Sequence, residues 1–70
     1  MKFKTFYTHK NKAERKQYAD DAKTTPGYIE NHLLPRRKIP RKPSMERLVL
    51  ASNGKLTVKD MLNHFYGDAA

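Results

Sequence analysis

Residues 15–34 read RKQYADDAKTTPGYIENHLL, two short helical segments with a tight turn between them, and this stretch decides the fold. The first segment starts upstream of it, where Asn11 as N-cap and Glu14 three residues on have the spacing at which each satisfies the other's free backbone amide. Over residues 12–23, Tyr18, Ala19 and Ala22 fall on one face, while Arg15, Lys16, Asp20, Asp21 and Lys23 face water. Small residues at 19 and 22 let a second helix cross closely. That second segment starts at Thr25, a good N-cap, with Pro26 at the first helical position, where a missing amide costs nothing. Ile29, His32 and Leu33 then lie on a packing side, and Gly27, Glu30, Asn31 and Leu34 on an outward side.

The flanking residues read as support. Phe3, Phe6 and Tyr7 recur at i, i+3, i+4 and predict a short first helix laid on the pair. Interleaved with Lys2, Lys4 and Lys10, they could instead stack on bases, but a 70-residue chain can hardly spare three aromatics from its core. Residues 35–43, PRRKIPRKP, form a loop, because three prolines remove backbone donors and oppose helix continuation. Ile39 is its expected anchor in the core. Ser44 then caps a helix of about two turns with Met45, Leu48 and Val49 on one face, and Asn53 with Gly54 suits a left-handed ending. Thr57 and Asp60 start a last helix whose Val58, Met61, Leu62 and Phe65 repeat at i, i+3, i+4, i+7, and residues 67–70 fray. The expected architecture is all-α, a compact bundle of four to five short helices with a central helix-turn-helix, forming one domain over residues 1–66.

Composition limits the function. A chain that is 37% hydrophobic and 31% charged is globular, yet its core must be small and no cysteine is present to staple it. The absence of cysteine fits a reducing compartment, and neither a signal peptide nor a run of about 18 apolar residues appears, so a cytoplasmic protein without a membrane anchor is expected. Of the net charge of +8, residues 1–34 carry +3, residues 35–43 carry +5 and residues 44–70 sum to zero. A positive patch beside a helix pair suits a polyanion, because each neutralised phosphate releases condensed counterions. His9, His32 and His64 are spaced too widely for a helical zinc site, and Asp60 with His64 supplies only two ligands. Without a cysteine nucleophile or a glycine-rich phosphate loop, and with Ser44 and Ser52 explained by caps and helix ends, no catalysis, metal or cofactor is expected, and no small-molecule ligand is evident. His64 reads as a solvated residue near the end of the last helix.

With these elements in place, residues 15–34 resemble the helix-turn-helix of the Cro and lambda-repressor type of phage and prophage regulators. Ala19 stands at the small position of the first helix, Thr24 just after the turn, and Ile29 at the branched apolar position of the second. Residues 39–61, IPRKPSMERLVLASNGKLTVKDM, look like the Pro-loop, short helix and Gly-turn that follow the motif in small prophage regulators, so the resemblance covers roughly residues 12–62. Two positions depart from the pattern. Lys23 holds the turn position usually given to glycine, where a left-handed lysine costs about 1 kcal/mol or more, and His32 holds a commonly aliphatic site, packed against Tyr18 or Met45.

The resemblance implies a second helix set in the major groove of double-stranded DNA, with Thr25, Pro26, Gly27, Glu30 and Asn31 at its reading surface. Asn31 would pair with adenine and Glu30 would accept from cytosine N4 or repel the wrong register, while Gly27 allows close approach. Phosphate contacts are expected from Thr24, Thr25, Arg36, Arg37, Lys38, Arg41 and Lys42. Tyr28 packs against the loop or the following helix, or donates its hydroxyl to phosphate. A Cro-like repressor of this kind binds a pseudo-palindromic operator as a homodimer, in the cytoplasm and on the nucleoid of a bacterial host. Met61, Leu62, Phe65 and Tyr66 are the dimer candidates. The competing readings are a protein-binding adaptor, such as an antitoxin or a phage interaction protein, and RNA binding through the basic loop.

Overall fold

The computed structural model describes residues 1–67, which fold as α-helices with no strand among them. In chain order these are α1 (Phe3–Thr8), α2 (Lys12–Asp21), α3 (Pro26–Tyr28, continued by a π-helical turn over Ile29–Leu33), α4 (Lys42–Ala51) and α5 (Val58–Tyr66). α1 lies on α5, α5 on α4, α4 on α2, and α2 on α3. The expected all-α bundle is therefore the observed one. The fraying foreseen for the C-terminus falls largely on residues 68–70, which lie outside the described residues, and Gly67 ends α5 with φ 76°.

Short-range chemistry starts α2, α3 and α5 as the residues dictate. The Glu14 amide donates to the Asn11 side chain at 2.8 Å and the Asn11 amide to the Glu14 carboxylate at 2.9 Å, a complete capping box for α2. Thr57 and Asp60 repeat it at α5, at 3.1 and 2.9 Å. The Thr57 amide also holds the Asp60 carboxyl below its usual range, against a smaller upward push from burial. At α3 the Tyr28 amide donates to the Thr25 hydroxyl at 3.1 Å, with Pro26 in the first turn.

α2 stops at Asp21, two residues before the predicted end. Lys23 adopts φ 59°, and the Thr24 amide reaches back to the Ala19 carbonyl at 2.9 Å while the Lys23 amide reaches Asp20 at 3.0 Å. These are the paired bonds of a Schellman ending, with lysine in the left-handed place at a cost of about 1–2 kcal/mol. The turn is thus built as a glycine turn without the glycine.

Beyond Tyr28 the backbone widens. The Leu34 amide donates five residues back, to Ile29 at 2.8 Å. Closing the turn over one extra residue brings Leu34 round above Ile29, so Leu34 packs on the core instead of facing outward as expected. α3 then ends on a second left-handed residue, Arg36 at φ 62°, and the His32 carbonyl accepts from the Arg37 and Lys38 amides at 2.9 and 3.1 Å. Those bonds tether the loop through its backbone, and Ile39, expected as a core anchor, is left 47% exposed.

α4 starts at Lys42, with Arg41 as a cap that makes no side-chain bond. Ser44 is therefore inside the first turn and not the cap, where it accepts from the Arg47 guanidinium at 3.0 Å. The helix is ten residues long instead of about two turns, and Asn53 and Gly54, at φ 55° and 85°, end it in the left-handed region as predicted. Ser52 accepts from the Leu56 amide at 2.9 Å and donates to the Val49 carbonyl, which turns the chain toward α5.

Phe3, Phe6, Tyr7, Tyr18, Ala19, Ala22, Ile29 and Leu33 join Met45, Leu48, Leu56, Met61 and Phe65 in one core. The three N-terminal aromatics belong to it, as read from their spacing. A buried bond from the Tyr18 hydroxyl to the Leu48 carbonyl, 2.7 Å long, bolts α2 to α4. Burial pushes the Tyr18 hydroxyl pKa far above its ordinary value, so the bond is held by a neutral donor. On α5 the inward stripe is Met61, His64 and Phe65, while Val58 and Leu62 face out. No helix among the described residues is long and apolar enough to cross a membrane.

Candidate nucleic-acid interface

Along α3 the core takes Ile29 and Leu33, which leaves Gly27, Glu30 and Asn31 exposed and Pro26 half-buried at the helix start. Thr25 is exposed and Thr24 half-buried just ahead of it. These residues share the outward side expected of them. Gly27 is informative because a Cβ there would meet nothing within 4 Å, and its φ is not in the left-handed range. Nothing inside the protein calls for glycine at this place, yet glycine costs helices up to about 1 kcal/mol relative to alanine.

Glu30 carries a second duty. The Tyr7 hydroxyl, from a fully buried residue, donates to the Glu30 carboxylate at 2.8 Å and ties α3 to α1. Burial and that carboxylate together raise the Tyr7 pKa well above the tyrosine range. The Arg15 guanidinium sits over the same ring at 5.2 Å and donates to the Thr8 carbonyl at 3.1 Å, so Arg15 is half-buried and not the water-facing residue expected. Sequence spacing could not have found the Tyr7–Glu30 bond, since the two residues lie 23 apart.

His32 stacks obliquely on Tyr28, ring centres 5.0 Å apart, rather than on Tyr18 or Met45. Tyr28 itself is 39% exposed and borders a cleft with Lys38, Arg41 and Ser44, so its ring packs beside the loop while its edge stays open to solvent. No family model, curated protein or solved structure matches this chain. Its surfaces must therefore be read from their own chemistry.

The five cations of the basic loop do not form one strip. Arg37 and Lys42 are exposed, and Lys38 and Arg41 border the cleft beside α3. Arg36, turned by its left-handed backbone, borders a different cleft with Met1, Lys4, Asn63 and His64.

His64 overturns its sequence reading as a solvated residue. It is 7% exposed, its Nε2 lies 2.9 Å from the Leu33 carbonyl at the end of α3, and its ring meets Phe3 and Phe65 edge-on at 5.1 and 4.8 Å. A carbonyl only accepts, so Nε2 carries the proton. Burial pushes the His64 pKa below its ordinary 6.5; the Leu33 carbonyl opposes this, and the nearby Arg36 and Lys4 charges add to it. A base depressed by folding binds fewer protons in the native state than in the unfolded chain, so stability rises with pH across that window. The melting temperature should therefore be level near pH 7.5 and fall as pH drops below about 6.5, before carboxylates titrate. His64→Gln keeps a donor for Leu33 and should flatten that part of the profile, as followed by circular dichroism. An identical slope in the variant would assign the effect elsewhere.

Two of the dimer candidates point inward. Met61 and Phe65 are 0% and 7% exposed and belong to the protein's own core, because the inward stripe of α5 runs through them and His64. Leu62 and Tyr66 remain accessible, at 43% and 66%, and Val58 on the same side is 47% exposed. Among the described residues, no three His, Asp or Glu side chains come together.

Proposed function

We propose that this protein is a sequence-specific double-stranded-DNA-binding regulator of the Cro-like kind, acting as a homodimer in the cytoplasm of a bacterial host with α3 in the major groove. The observation that carries the reading is Gly27: a helix residue with no internal reason to lack a side chain, on the face that also presents Asn31. The missing side chain leaves room for a surface that comes close from outside. The left-handed turn at Lys23 and the enclosed Ala19 and Ile29 also agree with the resemblance of residues 15–34 to the helix-turn-helix of Cro-like regulators.

Leu62, Tyr66 and Val58 offer the second subunit an apolar face on α5. A homodimer of this kind sets its two α3 helices one DNA turn, about 34 Å, apart.

Asn31→Ala should reduce the preference for a selected operator over random duplex by about 1–3 kcal/mol while the melting temperature holds. Gly27→Ala should leave the helix at least as stable and still weaken operator binding. The measurement is a random-sequence selection followed by competition titration with each variant. Absence of any salt-dependent duplex binding would remove the proposal. An equal loss on all sequences would reduce Asn31 to a backbone contact.

A further inference from the structure

The cleft beside α3 holds more positive charge than the loop alone supplies. It has a volume of about 450 Å³ and lies between the left-handed turn, the loop and the first half of α4. Lys23 comes from the turn, Lys38 and Arg41 from the loop, and Arg47 from α4, with the Tyr28 and Ser44 hydroxyls between them. Among the described residues, no acidic side chain lines it. Four cations converging without a counter-charge repel one another, and an anion in their midst relieves that repulsion.

Arg47 makes the arrangement specific. One guanidinium nitrogen donates to Ser44 at 3.0 Å, which helps to orient the group, whereas its Nε is buried and has no partner among the described residues. A buried donor left unmet costs roughly 1–3 kcal/mol, and the side chain that carries it lines the cleft. The flat fork of an arginine matches two oxygens of a phosphate better than any single point charge does. The α4 amides at this end also lack a side-chain cap, and Arg41 and Ser44 bring that end of the helix to the cleft wall.

We infer that this cleft is a phosphate seat, in which Arg47, oriented by Ser44, makes the directed contact and Lys23, Lys38 and Arg41 supply the surrounding charge. Resting on the DNA-binding reading, the phosphate belongs to the duplex backbone next to the groove that α3 enters. Arg47 and Lys23 lie outside the basic loop and 24 residues apart in the chain, so their convergence sets where along the backbone the protein sits.

The test uses the full chain, labelled with 15N, titrated separately with duplex DNA and with inorganic phosphate while the Arg47 Nε–H resonance is followed. The variants are Arg47→Gln and Lys23→Gly. The second suits the left-handed turn better than lysine does, so it keeps the fold while removing one charge. Both should weaken binding to every duplex sequence several-fold at moderate salt and lower the slope of log K against log salt by about 1, and the Arg47 resonance should move on adding DNA. Duplex binding with an unmoved Arg47 resonance and unchanged slopes would overturn the seat and leave the DNA-binding reading intact. A resonance that moves with inorganic phosphate, in a protein that does not bind duplex, would keep the seat for a phosphorylated small molecule and remove the DNA-binding reading. No response to either would overturn both.

Discussion

Phe3→Ala should remove most of the protein's stability at 25 °C. Phe3 is fully enclosed, with its ring 5.1 Å from His64 and 6.3 Å from Phe65. Removing a buried phenyl ring costs about 3–5 kcal/mol, through lost transfer energy and the cavity left behind. A domain of this size holds only about 5 kcal/mol in total, so one substitution consumes most of it. The loss also spreads, because α1 has only six residues and cannot persist as a helix once its docking is gone. With α1 go the Tyr7 ring and its bond to Glu30. Urea titration followed by circular dichroism measures the effect. A midpoint change worth less than about 1 kcal/mol would mean that α1 is peripheral to the core.

Ile29→Ala should come next, at about 2–5 kcal/mol, with Ile29→Val at about 0.5–1.5 kcal/mol. Ile29 and Ala19 both have 0% exposure and share the core, on the two helices that define the motif. Ile29 also provides the carbonyl that closes the π-helical turn onto Leu34. The valine variant separates packing from reading. It keeps the branched shape, so near 10 °C it should retain operator preference while melting earlier than the native chain. Selective loss of operator binding in a folded valine variant would show that the side chain's bulk, and not the backbone closure of the π turn alone, sets the pose of α3.

The helix starts were legible because their causes are local. Asn11 bonds Glu14, Thr25 accepts from the Tyr28 amide and Thr57 bonds Asp60, each within three residues, so spacing alone predicts them. The same holds for the left-handed ending at Asn53 and Gly54. What escaped depends on distant partners or on competition between neighbours. His64 is polar by type, and only the Leu33 carbonyl, 31 residues away, makes its burial tolerable. Val58 and Leu62 then turn outward because His64 occupies the stripe that they were expected to share. Ser44 lost the cap position because the helix starts three residues earlier than expected, at Lys42. Leu34 moved inward through a π turn that has no short-range signature.

Within the candidate interface, the outward set on α3 followed from helical periodicity, since burial of Ile29 and Leu33 leaves Gly27, Glu30 and Asn31 outside. The division of the loop cations did not follow, because it is decided by Arg36 taking a left-handed backbone that no residue type announces. The cleft containing Lys23 and Arg47 was also hidden, for it exists only when α4 folds back against α2.

The docking of α1 on α5 has a kinetic meaning. It joins the two ends of the chain, so the longest loop in the molecule must close before Phe3 meets His64 and Phe65. Closure entropy of that kind is met late, after the nearer contacts of α2, α3 and α4 have formed. The bond from His64 to the end of α3 lies beside the Phe3 ring, so it is fully enclosed only when α1 docks. Opening of this seam would uncover the bond at the far end of α3 before α2 and α3 come apart, and the amides of α1 would exchange with solvent ahead of those of α2.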